Sequence, residues 1–291
     1  MKKTNVNNGS RLKLAAIAIA TMAISACGGG SGGGGGFPAF PVSSAPTPAP
    51  AEPAAPDSSA PCFNEADFRE GTLVEFDAVK PGADPATASF HRKSVTEGRE
   101  AFGGANPIAF NVDSKTVDLP QVVLTTVQKE YKDLVGGSIL LYGKATIYKS
   151  KLDPKFLASL PAGFSAEEVT TESQVFAPPF AFPVDMKAGQ VVSQRTSIAK
   201  TTASRSGSSP TTSVPANAEL TYHGREALTT PLGTFNTCRL SLKITVGSSV
   251  ITKDTTKEFW LAADGPYRGQ LLKGIEPKAP LVVTKMTYSP K

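Results

Sequence analysis

Hydrophobic and polar residues alternate most regularly between Cys238 and Val246, where Cys238, Leu240, Leu242, Ile244 and Val246 are separated by Arg239, Ser241, Lys243 and Thr245. A period of two belongs to a strand with one buried and one wetted face, so this stretch predicts a strand with Cys238 pointing into the core. Weaker versions of the pattern predict strands at Thr72 to Phe76, Ile108 to Val112, Ser138 to Lys149, Gln190 to Ile198, Leu220 to Leu228, Thr256 to Ala262 and Leu281 to Tyr288. Helix signals are sparse. Asp153 before Pro154 makes an N-cap with proline at the first helical position, and Ser165 with Glu168 makes a capping box, each enough for a turn or two. Lys200 to Ala218, rich in Ser, Thr and Pro, reads as a loop.

Two copies of one pattern suggest duplication. Gly98-Arg99-Glu100-Ala101-Phe102 is followed by the turn-like Gly103-Gly104-Ala105-Asn106-Pro107 and a strand, and Gly224-Arg225-Glu226-Ala227-Leu228 by a turn through Pro231-Leu232-Gly233 and a strand from Phe235. The expected organisation is therefore two related β modules, residues 62–190 and 191–291.

The start of the chain has a different character. Lys2, Lys3, Arg11 and Lys13 precede an apolar run from Leu14 to Ile24, and small residues then lead to Cys27. This is the build of a secretory signal, and about eleven apolar residues are roughly half of what a bilayer-spanning helix needs. Ile24-Ser25-Ala26-Cys27 resembles the lipobox of bacterial lipoproteins. The resemblance implies that residues 1–26 are removed and that Cys27 carries lipid, so that the membrane is a partner through this anchor. Gly28 after the cysteine resembles the pattern of lipoproteins sent to the outer membrane, with the periplasmic face expected. Gly28 to Pro61 is dominated by Gly, Pro, Ala and Ser and cannot bury enough apolar surface to offset the entropy of ordering it. Residues 27–61 are thus a tether with a reach on the order of 60 to 90 Å.

Removing the leader changes how charge and cysteines read. Four of the 30 basic residues and none of the 25 acidic ones fall in it, so the net +5 drops to +1. Such a chain has no electrostatic footprint for a phosphate backbone, which argues against nucleic acid as a partner. Lipidation of Cys27 leaves Cys62 and Cys238, which pair with each other in an oxidising compartment or remain as two buried thiols.

The C-terminal part resembles a class of uncharacterised bacterial lipoproteins and periplasmic β-proteins. The resemblance rests on Gly224-Arg225-Glu226, Pro231-Leu232-Gly233-Thr234-Phe235, Thr237-Cys238, and Phe259-Trp260 running to Asp264-Gly265-Pro266. Phe176-Ala177-Pro178-Pro179-Phe180 and Met186-Lys187-Ala188-Gly189-Gln190 extend it upstream. It implies a mainly β fold, a twisted antiparallel sheet or half-barrel, and supplies no catalytic residues. A curved sheet of this kind could present a concave apolar face for a lipid or other apolar ligand, lined by Phe176, Phe180, Phe182 and Trp260.

Candidate chemistry is thin. His91 and His223 are the only histidines, and neither has partners in sequence for a zinc site or a triad. Glu100 and Glu226, from the two copies, could be imagined as acid and base, but adjacent Arg and Glu on a strand face opposite sides and pair across it more readily. No calcium loop and no Gly-x-Ser-x-Gly elbow is present. The expectation is a non-enzymatic envelope lipoprotein without cofactor or metal that binds a ligand or scaffolds an envelope protein, with a periplasmic hydrolase as the rival.

Overall fold

The computed structural model describes residues 57–84, 89–116, 122–159, 165–204, 207–247, 252–276 and 279–291. The leader, Cys27 and the tether through residue 56 lie outside these residues. The strands are β1 (Leu73–Val79), β2 (Phe90–Arg99), β3 (Ile108–Thr116), β4 (Val122–Val135), β5 (Ser138–Leu152), β6 (Glu167–Pro183) and β7 (Val191–Ser204). The two-residue β8 (Gly207–Ser208) is followed by β9 (Thr212–Thr230), β10 (Gly233–Gly247), β11 (Thr252–Ala262), β12 (Leu271–Glu276) and β13 (Ala279–Ser289).

Each long strand pairs antiparallel with the next, and β1 returns to β13 with Leu73 opposite Ser289 and Phe76 opposite Met286. Twelve strands thus close into a barrel, with β8 a short addition to β7. This corrects the expectation of an open twisted sheet or half-barrel built from two modules. The segments 62–190 and 191–291 both contribute to one ring, joined where β1 meets β13 and where β6 meets β7. A repeat that ends in unpaired edges at both ends satisfies its backbone groups by closing on itself.

The joint between β6 and β7 is irregular. Their ladder runs from Thr170 opposite Ser204 to Ala177 opposite Ser197 and stops there. Pro178 and Pro179 have no N–H to donate, so the ladder cannot continue. Side chains of β7 take over: Thr196 Oγ1 donates to the Pro178 carbonyl at 2.5 Å, Gln194 Nε2 to the Pro179 carbonyl at 2.8 Å, and Gln194 Oε1 accepts from the Ala181 N–H at 2.6 Å.

The connections β2–β3, β4–β5, β6–β7, β9–β10 and β11–β12 gather at one end of the barrel, and residues 58–72 stopper it. Two 3-10 turns, Ala60–Cys62 and Glu65–Phe68, make up this plug, with Asn64 Oδ1 accepting from the Ala66 N–H at 3.2 Å. Ser59 is fully buried and bonds Val184 and Met186 beyond β6, while Arg225 and Arg268 donate to the Ser58 and Phe63 carbonyls at 2.9 Å. The fold therefore begins ahead of Cys62, because Ser58 and Ser59 already belong to it. Cys62 and Cys238 are joined by a disulfide, with Cα atoms 6.0 Å apart. Asp67, also buried, accepts from Gln270 at 2.9 Å and from the Tyr288 hydroxyl at 2.7 Å, locking the plug to β13.

The one α-helix among the described residues, α1 (Pro154–Ala158), forms as its cap predicts, with Asp153 Oδ1 accepting from Lys155 and Phe156. Ser165 and Glu168 make no helix. Strand β6 starts at Glu167, and the Ser165 hydroxyl donates to the Glu167 carbonyl instead. Most of Lys200 to Ala218 is strand, since β-branched Thr and Val suit a pleated surface whatever their polarity.

Two outcomes test this architecture. Gly143 has φ +145°, and a Cβ there would collide with the Gln174 carbonyl oxygen and lie 2.8 Å from the Phe102 ring. Gly143→Ala is expected to lower the urea midpoint more than Gly136→Ala, where a Cβ meets nothing within 4 Å. The disulfide spans 176 residues, and loop-closure entropy gives it about 5 kcal/mol as an upper value. Cys62→Ser with Cys238→Ser should lose several kcal/mol in denaturant titration and open residues 58–72 to protease. An unchanged midpoint would count against a structural role for the bond.

Candidate functional site

The inward face of the barrel changes character along its axis. Next to the plug it is apolar: Ile139, Leu141, Phe176, Phe180, Phe182, Leu220, Leu240, Leu242 and Leu261 are buried against Cys62 and Phe63. Farther from the plug, on the same face of β3 to β7, lie Phe110, Glu130, Lys144, Gln174 and Lys200, each directly opposite the next in register.

The change is made at Gly143. In β5, Ile139 and Leu141 point inward, and simple alternation would put Gly143, Ala145 and Ile147 on that face too. A register shift on both sides of β5 at Leu141 to Gly143 reverses the alternation. Lys144 and Thr146 then face inward, 9% and 2% exposed, while Ile147 is 38% exposed on the outer wall.

Glu130 is the centre of the polar layer. It accepts from Gln128 Nε2 at 2.7 Å, Lys132 Nζ at 2.8 Å and Arg92 at 3.1 Å, all buried, and Thr146 steadies Gln128 at 3.2 Å. Lys132 Nζ also lies 4.1 Å above the Phe110 ring. Burial opposes ionisation of Glu130, but Lys132 and Arg92 outweigh it and hold the carboxyl at about 2.

Lys144 is placed differently. It makes no hydrogen bond and no ion pair among the described residues. Burial drives its pKa down; Glu130 and Glu172 act to raise it, and Lys257 and Lys200 to lower it. Lys200, on β7, is ion-paired to Glu172, yet its side chain is 43% exposed, so water reaches the inner face at this level. Lys257, opposite Leu242 and thus inward on β11, approaches from the far wall. Lysines from three walls, β5, β7 and β11, thus share the inward face. The end of the barrel away from the plug carries the connections β1–β2, β3–β4, β5–β6, β7–β9, β10–β11 and β12–β13.

The residues singled out in the sequence are dispersed. Phe176, Phe180 and Phe182 meet, with ring centroids 5.0 and 5.9 Å apart, but within the packed base. Trp260 lies on the opposite face of β11 from Phe259 and Leu261, its indole donating to Glu226 and its ring 4.2 Å beneath Lys273 Nζ. Glu100 is held by Lys129 and Tyr131, so the two glutamates are not brought together. His91 Nδ1 is 2.8 Å from Asp77, and His223 Nε2 is 2.8 Å from the Ser241 hydroxyl. The serine contact and the carboxylate contact thus belong to different histidines on different walls. No group of three or more His, Cys, Asp or Glu suited to a metal occurs among the described residues. Two concavities of about 470 and 280 Å³ lie on the outer wall, the larger lined by Val127, Ala145, Ile147 and Thr171.

No protein-family model matches the sequence, and no curated protein matches it. Among solved structures, the chain is similar to a candidate exported protein with a YmcC-like fold from Bacteroides fragilis. Identity is 10% and the TM-score 0.33, covering 75% of this chain and 96% of the other. It is also similar to a candidate lipoprotein from Parabacteroides distasonis, at 11% identity and a TM-score of 0.36, covering 76% of this chain and 96% of the other. At these scores the likeness says nothing about ligand or activity.

The buried layer escaped the sequence reading because β4, which supplies Gln128, Glu130 and Lys132, puts polar residues on both faces. The available signal was Gly143 interrupting an alternating strand, the mark of a bulge.

Glu130→Gln leaves Arg92 and Lys132 buried without their counter-charge and is expected to cost about 3 to 5 kcal/mol at neutral pH. Because the folded carboxyl titrates at about 2 against an ordinary value of 4.5, its contribution is complete above pH 4.5 and is lost as pH falls toward 2. The stability gap between wild type and Glu130→Gln should therefore narrow below pH 4.5. A gap that stays constant through that range would refute the ionic account.

Proposed function

We propose that the chain is a bacterial envelope lipoprotein, anchored to the outer membrane through Cys27 on its periplasmic side, whose barrel binds a ligand without transforming it. The observation that carries this reading is that the stopper of the barrel is continuous with the tether. Residues 58–72 fill one end and are bonded to β2, β9, β13 and the β6–β7 and β11–β12 connections. A disulfide from Cys62 to β10 fits an oxidising compartment and ties the pulling point to the wall. The tether then leaves from the stoppered end, and the polar, wetted end of the lumen is free to meet a ligand.

A second reading, a scaffold for another envelope protein, is favoured by the outer wall. Val123, Ile147 and Val169 are exposed there beside the larger concavity. Exposed apolar clusters of this kind mark interaction surfaces.

Labelled palmitate fed to cells should appear on the mature polypeptide and vanish in Cys27→Ser, with the labelled protein in the outer-membrane fraction. Label that persists in the variant, or never appears, would end the anchor reading. Native mass spectrometry of the detergent-released protein should then show a retained small molecule. A stoichiometric partner protein in its place would select the scaffold.

A further inference from the structure

We infer that the larger concavity on the outer wall is the seat of the chain's own tether, with Phe37 and Phe40 laid across strands β5 to β7. The inference depends neither on a ligand in the lumen nor on lipid at Cys27, since the segment follows that residue in the chain.

The wall sets what can bind. Across adjacent strands, Asn111, Lys129, Ala145, Ser173 and Thr201 form one row, and Val127, Ile147, Thr171 and Ala203 form the next. Small side chains on β5 to β7 leave a hollow of about 470 Å³ beside the larger Val127 and Lys129 of β4. Its charged lining is already paired, Lys129 with Glu97 and Glu100, and Glu172 with Lys200. Ile147 is exposed in it, and Val169 is exposed on the next strand. The groove therefore suits an uncharged, apolar occupant. A second copy of the barrel fits poorly, because a two-fold contact would set hollow against hollow.

The tether has the required chemistry. Between Cys27 and Pro56 the only charged residue is Glu52, and the only aromatics are Phe37 and Phe40. Phe37-Pro38-Ala39-Phe40-Pro41-Val42 contains Pro-x-x-Pro, which favours polyproline II with three residues per turn. Phe37 and Phe40 then share one face, about 9.3 Å apart. Alternate strands of a sheet are about 9.6 Å apart, so the two rings match the spacing of β5 and β7. Polyproline II needs no ladder partner, which suits a closed wall whose backbone groups are already paired.

Length agrees as well. The tether ends at the plugged rim, where the Ser58 hydroxyl donates to Asp185 just beyond β6 at 2.6 Å. From Pro183 back to Thr171, β6 measures about 40 Å. From Asp57 back to Phe40 the chain spans about 53 Å as polyproline II, enough to round the rim and reach the groove. A segment of the same chain is present at an effective concentration of about millimolar, so a modest contact suffices. Docking leaves Gly28 to Gly36, a reach of about 15 to 18 Å, between the groove and Cys27. The wall of β4 to β7 is then held toward the anchor.

The test is photo-crosslinking of the mature, disulfide-bonded protein carrying Phe40→benzoylphenylalanine, with Thr47→benzoylphenylalanine as the comparison. Crosslinks from position 40 are expected within the same chain, on residues 127–129, 145–147, 171–173 and 201–203, at least fivefold above those from position 47. Ala145→Arg with Ile147→Arg should lower them at least fivefold at an unchanged melting temperature. Ile147→Arg alone, on an exposed side chain, serves if the double variant is unstable. Crosslinks scattered over the barrel, or made to a second copy or to another envelope protein, overturn the inference. So does undiminished crosslinking in a folded arginine variant. These outcomes are separable from those above, since palmitate labelling reads Cys27 and native mass spectrometry reads the ligand.

Discussion

Everything in this molecule follows from the closure of a hydrogen-bonded ring. An antiparallel sheet of this length with two open edges would present unpaired N–H and C=O groups along both, an invitation to aggregate. Joining β1 to β13 removes one pair of edges, but the ring still has to pass the prolines at 178 and 179. It does so by lending side chains: Gln194 and Thr196 replace the ladder bonds that proline cannot make. Once the ring is complete it has an inside, and the inward residues of every strand become neighbours irrespective of their distance in sequence.

That closure also explains what the sequence could and could not disclose. The strands were legible where one face is uniformly apolar, as in Cys238 to Val246, whose alternation reappears in the burial of β10 from Cys238 to Lys243, with Ile244 and Val246 half-buried against the same core. So was the cap of α1, which depends on two adjacent residues. The Asp153 side chain needs nothing from the rest of the fold. The inner polar layer was not legible, because parity is a cumulative property. A bulge at Gly143 exchanges inside for outside over the remainder of β5, and another at Gly224 does the same in β9, turning Arg225 toward the plug and Glu226 toward Trp260. Read by alternation alone, Lys144 belongs to solvent and Ile147 to the core. The two Gly-Arg-Glu copies share a location at register shifts, which is what their glycines have in common. Their arginines do different work: Arg99 grips Asp133 on the barrel wall, while Arg225 holds the Ser58 carbonyl of the plug.

The plug turns the segment ahead of β1 into a structural element. Its two short turns bury little by themselves, and their backbone groups would be wetted if the segment lifted away. Bonds to Val184, Met186, Gln270, Tyr288 and the disulfide hold it from several sides of the rim. The aromatic cluster of Phe176, Phe180 and Phe182 is the surface against which this segment packs, and its apolar area is spent on that contact. The same packing is the reason these rings do not stand as an empty concave wall.

The polar layer is the costliest part of the structure, and its cost is informative. An apolar filling of equal volume would satisfy the barrel at least as well, because buried ion pairs seldom outperform hydrophobic packing. Glu130 with Arg92 and Lys132 is at least self-consistent, since each charge finds a partner and Gln128 and Thr146 complete the hydrogen bonding. Lys144 makes no hydrogen bond among the described residues, yet its Nζ is not sealed from water. It sits opposite Glu130 in register, where that carboxylate is already claimed by two other cations. The layer lies above an apolar base closed by the plug, and the half-exposed Lys200 brings water to its other side.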